Sequence, residues 1–387
     1  MRGVAGTNRW RTARVFGAAA LLGVGCTSSA PARPAFELFE PTDGVDCSEA
    51  MQVNASGVVV GYSDSCLDYP WPNAHQAYPF VADGAGVRPL AAGVAASSIY
   101  AMAINDAGFI LAQDETEPDF TQWLYRPGHW DTPELVPIDF SCALYALTNR
   151  PLSGQALPLM VGCAGAGASR PWQWIQVQMA APGSAANPPS FVPPPAAGYT
   201  GDGGAMAVND LGDMAGFYTL TTLARSAMAW TREGGLVDLN TLAPAGSGWA
   251  LVMALGINQQ RQVVGFGLHG ADVRAFRADL KSGTVIDLGA LPAPLDHAAF
   301  QARAINTQGH IVGTAGRPAD GGNYHLLADR AFFFSDATGL VDLNTLATPD
   351  AGWTLIDASD INDSDEVVGF ATDGNVRRAY RARLTLP

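Results

Sequence analysis

Ile257-Asn258-Gln259-Gln260-Arg261-Gln262-Val263-Val264-Gly265 closes one apolar stretch, turns within four residues and opens another. Upstream, Trp249 to Ile257 sets the larger Leu251, Met253, Leu255 and Ile257 against the smaller Ala250, Val252, Ala254 and Gly256. That period of two predicts a strand covered on both faces. Downstream, Gln262 to Gly267 predicts a second strand, Arg274 to Leu280 a third and Thr284 to Leu288 a fourth, which makes one antiparallel four-stranded unit.

The phrase recurs. Clear copies are Val53-Asn54 to Gly61, Ile305-Asn306 to Gly313 and Ile361-Asn362 to Gly369, with fainter ones at Asn105, Asn149 and Asn209. The anchor asparagines are 51, 44, 60, 49, 48 and 56 residues apart. A period near 50 marks propellers, solenoids and arrays. In four other copies the turn reads Asn-x-x-Gly, at Asn54 to Gly57, Asn105 to Gly108, Asn209 to Gly212 and Asn306 to Gly309. Asn can bond the backbone two residues on and Gly can take positive φ, as a three-residue hairpin loop with a bulge requires. Leu152, Arg261 and Asp365 replace that Gly, and the anchors themselves read as turn formers.

Third strands repeat at Tyr78 to Asp83, Gln122 to Arg126, Trp172 to Val177, Ala227 to Arg232, Arg330 to Ser335 and Arg378 to Arg383. Fourth strands recur at Val237 to Leu239 and Val341 to Leu343, and prolines at Pro89, Pro137 and Pro193 to Pro195 put this strand outermost. The last unit stops after its third strand, while Ala35 to Glu40 precedes the first full unit as an orphan. If Phe36 to Phe39 supplies the missing strand, the two ends seal the ring and leave no long edge. The expected fold is therefore an all-β, seven-bladed β-propeller of four-stranded antiparallel blades, with the N-terminal strand joining the last blade. An open solenoid would need capping elements, which the sequence lacks.

Arg-Ala-Phe, then Asp-Leu-Asn-Thr-Leu or Asp-Leu-Gly-Ala-Leu, then Ile-Asn-x-x-Gly-x-Val-Val-Gly resembles the bacterial extracellular HAF repeats, named after a His-Ala-Phe strand. The matching positions are Arg274-Ala275-Phe276, Arg330-Ala331-Phe332 and Arg378-Ala379-Tyr380, so Arg stands for His throughout and Tyr for Phe in the last. The likeness is strong from Val208 onward and faint before it. It implies export and a propeller-like β fold, and carries no catalytic residues across.

The first 26 residues hold Arg2, Arg9, Arg11 and Arg14 without an acid, then an apolar run from Val15 to Gly25 too short to span a bilayer. This reads as an export signal. Leu-Leu-Gly-Val-Gly before Cys26 resembles the lipobox of bacterial lipoproteins, which implies acylation of Cys26, with 27–34 as a tether and 35–387 as a single domain. Ordinary secretion is the alternative. Of 22 basic side chains, losing the four leader arginines leaves 18 against 36 acids, a net charge of −18. Such a chain has no clustered basic surface for nucleic acid. The expected location is the bacterial outer membrane or cell surface, or otherwise the periplasm or medium.

Cys47 and Cys142 each lie seven residues before their anchors, and Cys66 and Cys163 follow theirs by 12 and 14. Matching places favour disulfides Cys47 to Cys66 and Cys142 to Cys163. No C-x-x-C spacing supports a metal site, and no cofactor is expected. Nucleophile elbows, metalloprotease helices and phosphate loops are absent from the sequence. The histidines are scattered singly.

Propellers tend to bind where inner strands begin. Trp249 and Trp353 each lie nine residues before an anchor, and the neighbouring loops carry His269 and Asp272, then Tyr324 and His325. Aromatic rings with acids nearby could accept a sugar or peptide. Packing of the tryptophans between blades is the competing reading. The expected function is a non-catalytic, monomeric binding or scaffold protein of the cell envelope that meets the membrane only through its lipid anchor. A propeller enzyme of glycosidase or lactonase type, with acids converging in a channel, is the alternative.

Overall fold

The computed structural model describes residues 35–66, 76–91, 98–114, 121–136, 143–152, 155, 157–164, 173–177, 190–195, 198–293, 295, 299–318 and 326–386. The leader, Cys26, the tether, Cys142, Tyr324, His325 and most of the Pro-rich stretch 180–197 fall outside them. Among the described residues no helix is long and apolar enough to cross a membrane.

The domain is all-β. Strand β1 is Phe36–Phe39. The first repeat holds β2 (Cys47–Val53), β3 (Val59–Asp64), β4 (Tyr78–Asp83) and β5 (Gly86–Pro89). The second holds β6 (Ile99–Ile104), β7 (Ile110–Asp114), β8 (Thr121–Arg126) and β9 (His129–Leu135), and the third β10 (Leu144–Leu147), β11 (Met160–Ala164), β12 (Gln173–Val177) and β13 (Ser190–Val192). The fourth holds β14 (Tyr199–Val208), β15 (Met214–Leu220), β16 (Arg225–Thr231) and β17 (Gly235–Asp238). The fifth holds β18 (Trp249–Ile257), β19 (Gln262–His269), β20 (Asp272–Asp279) and β21 (Thr284–Asp287). The sixth holds β22 (Ala299–Ile305), β23 (Ile311–Pro318), β24 (Leu326–Ser335) and β25 (Gly339–Asp342). The last holds β26 (Thr354–Ile361), β27 (Glu366–Thr372) and β28 (Arg377–Arg383). Six sheets result, one of eight strands in which the fifth and sixth repeats meet through a single parallel bridge, Val273 to Ala299. Strand β1 pairs antiparallel with β28, with Leu38 opposite Tyr380, as the orphan segment predicts.

Six of the seven anchor asparagines work in two directions. Within its own turn, Asn258 Oδ1 accepts from the Gln260 and Gln262 amides, and the Arg261 amide donates to the Asn258 carbonyl. Gly57, Gly108, Gly212 and Gly309 sit at φ between 70° and 85°, while Arg261 and Asp365 hold the same left-handed place at 66° and 56°. Outward, the Asn side-chain amide donates to the neighbouring repeat. Asn54 bonds the Asn105 carbonyl, Asn105 that of Thr148, Asn209 that of Asn258, Asn258 that of Asn306 and Asn306 that of Asn362. Asn362 bonds the Asn54 carbonyl. Between the third and fourth repeats the Asn149 backbone amide donates to the Asp210 side chain, at Oδ1, instead, at 2.7 Å. The sequence reading found the turn role and missed the second.

The first strand of each repeat touches the next: β2 meets β6, then β10, β14, β18, β22 and β26 follow, and β26 returns to β2. Small residues permit this approach. Ala50, Ala101, Ala205, Ala254, Ala302 and Ala358, each four places before an anchor, are at most 1% exposed. One place later the ladder slips, leaving Met51, Met102, Met206, Leu255, Arg303 and Ser359 as bulged residues, with Tyr145 in the third repeat. The bulge explains the terminal glycine of the repeated phrase. A Cβ on Gly61, Gly216, Gly265 or Gly313 would lie 2.0 to 2.1 Å from the carbonyl oxygen of Glu49, Gly204, Met253 or Gln301 respectively.

The phrases that carry the HAF resemblance have local causes too. Ala275, Ala331 and Ala379, with Phe276, Phe332 and Tyr380, are fully buried between sheets. Arg274 lies 3.7 Å from Asp287 and Arg330 3.7 Å from Asp342, both acids of outer strands. In the last repeat Arg378 reaches Glu40, just past β1, at 3.3 Å, so the N-terminal segment reproduces the fourth strand's charge as well as its pairing. In Asp-Leu-Asn-Thr-Leu, the Asp342 carboxylate accepts from the Asn344 amide, Leu343 is buried, and the Asn344 side chain exchanges two bonds with the Leu355 backbone. Asn240 does the same for Leu251. The phrase therefore pins the start of the following strand. Cys47 and Cys66 form the expected disulfide. Cys163 is also disulfide-bonded, while Cys142 lies outside the described residues.

Candidate functional site

Trp249 begins β18 and faces His269, the last residue of β19, whose partner in turn is Asp272 at the start of β20. Three of the predicted site residues therefore gather at one end of the fifth repeat. The His269 ring stacks on Trp249 at 4.6 Å and 3°, and the Phe276 edge meets the same indole at 6.4 Å. His269 Nδ1 lies 3.1 Å from Asp287 Oδ2 and Nε2 lies 3.0 Å from the Ser247 carbonyl. Both ring nitrogens are held, so the ring is fixed in orientation. Trp249 is half-buried and packs into the apolar cluster shared by the fourth and fifth repeats. Trp353, just before β26, is half-buried against the sixth and last repeats, two repeats away from Trp249. Asp272 is exposed.

A second constellation lies where the last repeat meets the first. Glu49 on β2, Asp64 on β3 and Arg377 on β28 converge: Arg377 Nη1 is 2.7 Å from Glu49 Oε1, and its Nη2 is 3.3 Å from Asp64. The Tyr62 hydroxyl donates to Glu49 Oε2 at 2.6 Å. Burial pushes the Glu49 carboxyl above the usual carboxylate range, with Arg377 acting in the opposite sense. Burial and the adjacent Glu49 charge hold the Tyr62 hydroxyl well above its ordinary value. Nearby, the 6% exposed Asp357 side chain accepts from Thr314 Oγ1 and lies 3.1 Å from Arg303 Nε. Three carboxylates, two guanidiniums and two hydroxyls thus come from the first, sixth and last repeats.

Sequence reasoning missed this group because its members are as much as 328 residues apart and none belongs to a motif. A signal was present. Five places before the anchor most repeats carry an uncharged residue, whereas the first has Glu49 and the last Asp357.

Away from these ends, a groove of about 660 Å³ lies beside outer strands β5 and β9, lined by Tyr78, Pro79, Arg88, Leu90, Trp130 and Asp131. The Arg88 guanidinium sits 4.7 Å over the Trp130 ring and pairs with Asp83. No cluster of His, Cys, Asp and Glu fit to hold a metal occurs among the described residues.

No protein-family profile matches the chain, and no curated protein does. Solved structures do. The extracellular domain of a one component system from B. thetaiotaomicron aligns over 91% of this chain with 11% identity and a TM-score of 0.53, the chain spanning only 40% of that protein. Oligogalacturonate lyase from Vibrio parahaemolyticus aligns over 90% of this chain and 96% of its own, with 10% identity and a TM-score of 0.53. Virginiamycin B lyase from Staphylococcus aureus aligns over 90% and 99%, with 8% identity and a TM-score of 0.52. At such identity the likeness speaks to fold alone, and with these neighbours the chain is similar to β-propellers.

Proposed function

We propose that this chain is an exported, closed seven-bladed β-propeller, carried at the bacterial envelope by an acylated Cys26, that binds a protein or glycan ligand without transforming it. Counting the eight-stranded sheet as two blades gives seven groups of four strands. Closure is supported by the pairing of β1 with β28, by the return of β26 to β2 and by the bond from Asn362 to Asn54. The HAF-type resemblance supports export. Its Arg-Ala-Phe and Asp-Leu-Asn-Thr-Leu phrases perform structural work in the fold and leave no motif over for chemistry.

The observation that carries the binding reading is mutual neutralisation. Glu49 and Asp64 share Arg377, Asp357 is held by Arg303 and Thr314, and both nitrogens of His269 are engaged. A general base must reach substrate, and these groups are held against one another instead. The oriented His269 ring beside exposed Asp272 suits recognition instead. The enzyme reading is favoured by one observation, the convergence of Glu49, Asp64 and Asp357 from the first and last repeats on one junction.

Glycan-array and envelope pull-down screening of the exported protein, with the double variant His269→Ala/Asp272→Ala alongside, tests the assignment. A ligand enriched by the parent and lost in the variant supports binding. Hydrolysis or elimination of glycan substrates that disappears in Glu49→Gln would overturn it. Labelling with a radioactive fatty acid, lost in Cys26→Ser, tests the anchor.

A further inference from the structure

Six of the bulged positions are equivalent, each three places before its anchor, so a residue that departs from its fellows stands out. Met51, Met102, Met206 and Leu255 are apolar and half-buried. Arg303 is the cation of the set. It is also the only residue of β22 classed as exposed. Strand β22 has β23 beside it in its sheet and β18 and β26 against its two faces, so the open side of Arg303 is toward the axis that the first strands surround. This inference rests on the closed ring proposed above.

The guanidinium is fixed from behind. Its Nε donates to Thr314 Oγ1 at 3.2 Å and lies 3.1 Å from Asp357 Oδ1, and both partners are buried. Its two terminal amino groups meet no acceptor among the described residues. A surface arginine that merely solubilises its strand needs no such tether. A guanidinium held by Nε with its fork left open is the arrangement that grips a carboxylate through two parallel hydrogen bonds. The surroundings narrow the ligand. Met51, Met102, Met206 and Leu255 hold the corresponding bulge in other repeats, and in a closed ring such flexible, polarisable or apolar side chains would suit the chain beyond the carboxylate.

We propose that Arg303 is an anion-binding residue of the channel, taking the carboxylate of a ligand whose adjoining apolar body rests on Met51, Met102, Met206 and Leu255. A fatty acid and the C-terminus of an apolar peptide share this chemistry.

The test uses the full exported chain with methyl-labelled methionine, titrated with octanoate in one arm and N-acetyl-leucyl-leucine in the other. Octanol and the peptide amide serve as uncharged controls. The Met51, Met102 and Met206 methyl resonances, assigned by single Met→Leu variants, are expected to shift with the carboxylates and at least tenfold less with the controls. The arm that saturates first names the source. Arg303→Met together with Asp357→Asn removes the pair without leaving a buried carboxylate unpaired, and is expected to weaken binding at least tenfold, with Arg303→Lys between. Equal affinity in that double variant with an unchanged melting curve, shifts of the same size with octanol, or no shift with either carboxylate would each overturn the proposal. Small-angle scattering on the same samples reports the closed ring by itself, so failure of the architecture and failure of the site are distinguishable.

Discussion

The side-chain amide of Asn362 donates to the backbone carbonyl of Asn54 at 2.9 Å, across 308 residues of chain. The same amide meets Glu366 Oε2, and Asn362 Oδ1 holds the Ser364 and Glu366 amides of its own turn. One residue thus shapes a hairpin and ties the last repeat to the first.

Asn362→Ala removes both roles. It is expected to cost about 2 to 4 kcal/mol, from two turn bonds and one bond between repeats, each worth roughly 1 kcal/mol and leaving buried backbone groups unpaired. Asn362→Asp keeps the turn acceptor but sets a second carboxylate against buried Glu366, so at neutral pH its loss is expected to be at least as large. Urea unfolding of the two variants checks the order.

Gly265→Ala and Gly283→Ala separate crowding from backbone freedom. At Gly265 the new methyl would lie 2.0 Å from the Met253 carbonyl oxygen, so strand and bulge must part, and a loss above about 3 kcal/mol is expected by the overpacking rule. Gly283 sits at φ 69° with open space around it. There the cost is the left-handed backbone alone, about 1 to 2 kcal/mol. Thermal melts of the pair give the comparison.

Asp360 makes stability depend on pH. Its carboxyl, pushed up to about 7 chiefly by burial, accepts the Val53 amide at 3.0 Å where the last repeat meets the first. Below its ordinary value of 3.8 both folded and unfolded chains hold the proton. Between 3.8 and about 7 only the folded chain does, so its contribution to stability falls as pH rises through that window and is level above it. Asp360→Asn is expected to abolish this slope and to raise the melting temperature at pH 8 relative to the parent. An unchanged slope in the variant would count against the assignment.

The Cys47 to Cys66 bridge closes a sequence separation of 19. Replacing both cysteines by serine is expected to cost about 3 kcal/mol on the chain-entropy account, and reductant added to the parent should lower the midpoint further, since it also opens the bridge of Cys163. Denaturant curves with and without dithiothreitol decide it.

Legibility followed range. The turn at Asn258, the strands on either side of it and the need for β1 beside β28 were readable because propensity, period and unit counting act within a repeat. The terminal glycine of the phrase was visible as a pattern, but its reason, a carbonyl oxygen on a bulged strand twelve residues earlier, is a three-dimensional contact. The outward bonds of the anchor asparagines were hidden for the same cause. Trp249, His269 and Asp272 came together because one hairpin carries them, while Trp353 belongs to a separate junction. Glu49, Asp64, Asp357, Arg303 and Arg377 stayed invisible, since only the placing of repeats one, six and seven side by side gives them a common location.

The pairing of Phe36–Phe39 with Arg377–Arg383 also sets an order of events in biosynthesis. Strand β1 has no partner until the chain through Arg383 has been made. Chains cut short by a nonsense codon or a stalled ribosome would display an unsatisfied sheet at each terminus, an open template for proteases and for aggregation. Synthesis through Arg377–Arg383 is therefore built into the fold as a condition for satisfying its first strand.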